Sequence, residues 1–114
     1  MTLKALFLNC TLKSPGETSN TRAYIKNAEK IFHELGVQTE VLRMSAYNIK
    51  YGNSSDEGEN DEWPRIVKKI YDADILIIAT PIWRGDRSSI SKLIAERMDG
   101  IWEDTNEDNG QYFT

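Results

Sequence analysis

Two short runs, Ala5–Leu8 inside LKALFLN and Ile75–Ala79 inside DADILIIATP, are apolar without alternating. A strand with one face in water alternates apolar and polar residues, whereas a strand covered on both faces does not. Each run therefore reads as a central strand of a sheet sandwiched between helices. The segments between them fit that reading. Tyr24, Ile25, Ala28, Ile31, Phe32 and Leu35 fall at helical spacing and predict one apolar helix stripe, with Gly36 placed as its C-terminal cap. VQTEVLRM alternates Val37, Thr39 and Val41 with Gln38, Glu40 and Leu42, which predicts a less buried edge strand.

A long loop over 44–61 follows, then a second helix from about Asp61, with Trp63, Ile66, Val67 and Ile70 on its apolar face. Pro64 suits its first turn, where an N–H has no intrahelical partner. After the second apolar run, PIWRGDRSS leads to a third helix with Ile90, Leu93, Ile94 and Met98 on one side. Strands alternating with helices predict an α/β fold with an open parallel sheet, and the burial pattern predicts strand order 2-1-3. Such a sheet leaves the third strand at an open edge, for which ILIIA is poorly suited. The chain thus reads as one incomplete doubly wound domain, residues 1–114, lacking a C-terminal half with strands 4 and 5 and ending in a polar acidic tail at 101–114.

Composition narrows the function. A net charge of −4 and a pI near 5.0 argue against a general nucleic-acid binder, which must neutralise phosphates. No apolar run approaches the ~20 residues of a membrane span, and MTLKALFLNCTLK is a poor signal peptide. The one cysteine allows no internal disulfide, which fits a reducing cytoplasm.

In an open α/β sheet, ligands sit beyond the carboxyl ends of the strands where successive connections diverge. For order 2-1-3 that point lies between the first and third strands, where CTLKSPGETSNT and PIWRGDRSS meet. The first loop opens a helix and carries Thr11, Lys13, Ser14, Thr18, Ser19, Asn20 and Thr21, donors suited to an anion. It reads equally as an ordinary loop capped by Ser19 or Asn20. The second loop offers Ile82 and Trp83 as a wall for a flat ring and Gly85 for close backbone approach, or a Trp that merely packs the loop down.

Several chemistries are disfavoured. A cysteine-phosphatase loop needs an Arg six residues after its Cys, and here Gly16 stands there, so Cys10 reads as a small buried residue. A phosphoacceptor site wants an acidic cluster after the first strand and an Asp ending the third, where this chain has Asn9 and Thr80. His33 is the only histidine, so no histidine-based metal or triad cluster exists. Asp56, Glu57, Glu59, Asp61 and Glu62 lack calcium-loop spacing and read as a solvated run.

Taken together, LKALFLNCTLK, SNT opening a helix, SSDEGENDEWP and ADILIIATPIWRGDRSS resemble the flavodoxin-like NAD(P)H-dependent FMN reductases, from the first residue to about Tyr112. The resemblance implies a flavodoxin-like three-layer sandwich with non-covalently bound FMN, its phosphate on the first loop. By position the phosphate contacts would be Thr11, Lys13, Ser19, Asn20 and Thr21, and the isoalloxazine contacts Pro81, Ile82, Trp83, Arg84 and Gly85. Thr11 stands where many relatives have Ser, and Lys13 where many have Arg, keeping the charge but not the fork geometry. The absence of cysteines after the second strand resembles the cluster-free members.

The implied activity is hydride transfer from NADH or NADPH through FMN to a second small-molecule acceptor such as a quinone or flavin. Because the flavin carries that chemistry, no catalytic acid, base or nucleophile is nominated. The resemblance further implies a homodimer or larger assembly, which an exposed Trp102 and the third-strand edge would favour. Relatives continue through a fourth strand whose loop helps to close the flavin site. The alternatives are an FMN-holding electron carrier without NAD(P)H turnover, and a half-domain that binds nothing.

Overall fold

The computed structural model describes residues 2–13, 20–54, 56–83 and 86–103, excluding the side chains of Trp83, Trp102 and Glu103. β1 (Lys4–Asn9), β2 (Gln38–Arg43) and β3 (Ile75–Ala79) form a parallel sheet in the order β2-β1-β3. Ala5 sits opposite Thr39 on one side and Ile75 on the other, and the register runs on to Asn9 between Arg43 and Ala79. Successive side chains of a strand point to opposite faces, and β1 divides the core accordingly. Leu6 and Leu8 join Leu42, Met44, Trp63, Ile66, Ile70, Ile94 and Ile101 on the face covered by α2 (Trp63–Asp72) and α3 (Ser89–Met98). Ala5 and Phe7 join Ile25 and Val37 on the face covered by α1 (Asn20–Glu34). Phe7 meets Phe32 edge-on, with ring centroids 5.8 Å apart. The result is the expected three-layer arrangement.

Gly36 ends α1 as its position predicts. It has a φ of +79°, and Gly36 N donates to His33 O and Val37 N to Phe32 O, which satisfies carbonyls of the last turn. α2 starts at Trp63 with Pro64 in its first turn, and the predicted Trp63, Ile66, Val67 and Ile70 are all buried.

β3 lies at the end of the described sheet, the open edge that the order 2-1-3 leaves it, and is half-buried apart from the exposed Ile78. Two expectations need correcting. The α1 stripe is wider than the sheet can cover, so Ile25 is buried while Tyr24, Ile31 and Leu35 face outward. The segment before α3 is not a plain turn, since β4 (Ile82–Trp83) pairs antiparallel with β5 (Asp86–Arg87) in a separate small hairpin. Beyond α3 a short 3-10 helix, Asp99–Glu103, returns Ile101 to the core, and residues 104–114 lie outside the described ones. No helix among the described residues is long and apolar enough to cross a membrane.

Candidate functional site

The carboxyl ends of β1 and β3 lie side by side, with Cys10 N donating to Ala79 O at 2.8 Å. The two loops singled out in the sequence therefore leave the sheet from adjacent points. The first is folded by its own short side chains. Thr11 N donates to Asn9 Oδ1 (3.1 Å), Lys13 N donates to Thr11 Oγ1 (3.2 Å), and Ser45 Oγ donates to Lys13 O (2.8 Å). Thr11 is buried, and among the described residues its hydroxyl accepts from Lys13 N and donates to nothing. Asn9 is fully buried, and its Nδ2 has no partner among the described residues.

Thr21 is buried in the first turn of α1, Asn20 opens that helix and is exposed, and Lys13 is exposed. The helix is 15 residues long and has no acidic residue in its first turn, so nothing there opposes an anion. Ser19 lies outside the described residues.

In the second loop Pro81 is half-buried, Ile82 is 71% exposed and Trp83 contributes backbone to β4. The Trp83 side chain, Arg84 and Gly85 lie outside the description. What fixes this loop is a pair the sequence reading did not weigh as site residues. Ser88 N donates to Thr80 Oγ1 (3.0 Å), the Thr80 and Ser88 hydroxyls lie 3.2 Å apart, and Ser88 Oγ donates to Cys10 O at 2.8 Å. Ser88 also caps α3, accepting from Ser91 N at 3.2 Å. The signal in the sequence is the first Ser of RSS, one residue before an apolar helix pattern, which marks an N-cap but not its long-range bond.

Cys10 is fully buried, and burial pushes its thiol up to about 12, which removes thiolate chemistry from the site. His33 lies 3.0 Å from Thr39 Oγ1, which donates to Glu29, and no metal-holding group of His, Cys, Asp and Glu exists among the described residues.

The acidic run is not simply solvated. Asn48 N donates to Glu62 Oε1 and Glu62 N returns to Asn48 O, closing an Ω-loop over 48–62. At its centre Asp61 meets Arg97 of α3, with Oδ2 2.6 Å from Nη2 and Oδ1 3.0 Å from Nη1, both side chains at 0% exposure. Arg97 also donates to Lys50 O and Ser54 O and lies 5.7 Å from the Trp63 ring centroid. Burial alone would raise the Asp61 carboxyl. Arg97 and the N–H groups of Glu57, Lys50 and Trp63 outweigh it and hold the carboxyl well below the usual carboxylate range. An open groove of about 600 Å³ runs between this loop and α3, lined by Tyr51, Asn53, Lys92 and Glu96 among others.

An open parallel sheet in the order 2-1-3, helices on both faces and two polar loops at the switch point define a flavodoxin-like α/β protein. The sequence profile of the NADPH-dependent FMN reductases matches residues 3–109, and the chain belongs to that family. It is 36% identical over 121 residues to 8-demethyl-8-aminoriboflavin-5'-phosphate synthase of Streptomyces davaonensis, a match covering 98% of this chain and 47% of that protein. It is 41% identical over 114 residues to the divalent metal cation transporter MntH of Mycobacterium bovis, covering 96% of this chain but 16% of the transporter. Among solved structures, RosB with the bound intermediate 8-demethyl-8-formylriboflavin-5'-phosphate superposes with a TM-score of 0.78 at 35% identity, over 94% of this chain and 46% of RosB. The chain thus spans about half the length of its flavin-related relatives and a much smaller part of the transporter.

Proposed function

We propose that the chain is the flavin-binding portion of an FMN-dependent oxidoreductase that passes hydride from NAD(P)H to a second small-molecule acceptor. The observation that carries this reading is the junction of the β1 and β3 loops at the switch point, tied by Ser88 to Cys10. The residues present fit an FMN. Among the described residues the Thr11 hydroxyl hydrogen and the buried Asn9 Nδ2 have no acceptor, and the first turn of α1 carries no acidic residue. In this reading Thr11, Lys13, Ser19, Asn20 and Thr21 hold the phosphate, and Pro81, Ile82, Trp83, Arg84 and Gly85 take the ring. FMN, when bound, supplies hydride acceptance and donation. The chain's own residues bind, orient and shield it, and none is assigned a proton-transfer role. A cytoplasmic protein that acts as a homo-oligomer fits the single cysteine and the outward-facing Tyr24, Ile31 and Leu35.

Titrating purified chain with FMN while following flavin fluorescence tests the first part; saturable quenching is expected. Steady NAD(P)H consumption in the presence of FMN and a quinone tests the second, and its absence would leave the electron-carrier alternative standing. A second reading has its own support: RosB was solved with a modified riboflavin phosphate as its intermediate. There the flavin is the material acted on. Mass spectrometry of the flavin recovered after turnover separates the two, since an oxidoreductase returns FMN unchanged in mass.

A further inference from the structure

Ser88 is 1% exposed, and its hydroxyl is fully committed. Its one hydrogen goes to Cys10 O and its oxygen accepts from Ser91 N, while the Thr80 hydroxyl lies 3.2 Å away and has Pro81 O nearer, at 2.9 Å. Thr80 and Ser88 are the two ends of the segment that carries β4 and β5, and the Ser88 N–H to Thr80 Oγ1 bond closes that segment at its base. Cys10 O in turn precedes Thr11, whose backbone N–H is held by Asn9 and whose hydroxyl holds Lys13 N. An unbroken sequence of short bonds therefore runs from the base of the hairpin to Lys13. Among the described residues the Ser88–Cys10 bond is the side-chain link between the two loops.

We propose that Ser88, supported by Thr80, is a positioning latch that couples the two halves of the flavin site, so that the phosphate loop and the β4–β5 hairpin bind one ligand as a unit. The inference rests on the flavin reading above. A ligand with two recognisable parts gains affinity when both subsites are held at a fixed separation, because the second contact is then intramolecular. Cutting the link loosens that separation without removing any group that touches either part. A merely structural role for Ser88, as the cap of α3, would weaken both parts together.

The test uses the full chain and three probes: FMN, riboflavin, which lacks the phosphate, and inorganic phosphate. For Ser88→Ala the expected result is an FMN Kd raised roughly tenfold, through the lower effective concentration of one subsite relative to the other. The Kd values of riboflavin and phosphate stay within about twofold, so the advantage of FMN over riboflavin collapses. Ser88→Thr, which keeps the hydroxyl, restores it. Thr80→Val leaves the α3 cap and the Cys10 bond in place and moves the same ratio in the same direction by less, which guards against Ser88→Ala failing to fold. Equal losses for FMN and riboflavin, or an unchanged FMN Kd, overturn the latch while leaving the flavin reading intact. Failure of the wild-type chain to bind FMN overturns the flavin reading and the latch with it.

Discussion

Two loop regions leave the carboxyl end of the same sheet, and they are held by opposite means. The Ω-loop over 48–62 is built around charge: Asp61 accepts from Arg97 and from the backbone of Lys50, Glu57 and Trp63, and Arg97 spends its remaining donors on Lys50 O and Ser54 O. The loops at 10–13 and 80–88 are held by neutral hydroxyls, the Asn9 amide and backbone bonds, with no buried charge among the described residues. The first region spends its charges on one another and on its own backbone, with Trp63 Nε1 left beneath it as a buried donor without a partner among the described residues. The second is pinned at its bases and keeps uncommitted donors on Thr11 and Asn9. A ligand site needs the second construction, and a scaffold that keeps that site in place is served by the first.

The largest effect should come from the ionic centre. Arg97→Met leaves the Asp61 carboxylate and two carbonyls enclosed without their partner and should cost about 3–5 kcal/mol of stability, measured as a lower urea midpoint. Pairing it with Asp61→Leu should recover part of that loss, because no lone charge then remains inside.

Acid should act through the same pair. Asp61 titrates below its unfolded value of 3.8, so its contribution is present above that pH and fades as pH falls further. Unfolding free energy should therefore drop more steeply below about pH 4 in the wild type than in Asp61→Asn. Equal slopes would show that the loop does not depend on that charge.

At the other region Ser88→Ala should cost about 2–3 kcal/mol of stability, an N-cap plus one buried hydrogen bond, so its effect on FMN affinity should be seen on a folded protein. Smallest of all, Lys69→Ala should barely move the midpoint, since its contact with Glu40 at 2.7 Å lies on a solvent-facing edge. Thiol labelling gives a check without mutation: Cys10 should stay unreactive in the native protein at pH 8 and react only as fast as the chain unfolds.

The sheet was readable because its order follows from which runs lack alternation. Ala5–Leu8 had to be inside, VQTEVLRM had to be outside, and β1 between β2 and β3 satisfies both. The face of α2 and the turn at Gly36 were equally legible, because each depends on neighbours within a few residues. The placement of the two loops followed from that order. What escaped was whatever needed a partner far along the chain. Arg97 sits inside an apolar helix pattern and Asp61 inside an acidic run, and only the folded chain, across 36 positions, makes them one buried unit. Ser88 caps α3, a local role, but its bond to Cys10 spans 78 positions. The α1 stripe shows the opposite error. Periodicity gave its direction, yet the sheet beneath is narrower than the stripe, so Tyr24, Ile31 and Leu35 face outward.

The position of β3 has a consequence for isotope exchange. Along a strand successive backbone amides point to opposite sides, and β3 is paired with β1 on one side alone among the described residues. Its amide hydrogens should therefore fall into two interleaved sets, one exchanging with deuterium slowly and the other fast, with a period of two residues. Any neighbour that pairs with the outer edge of β3 in the assembled protein would erase that alternation, so a residue-resolved exchange profile over Ile75–Ala79 reports directly on whether the edge is covered.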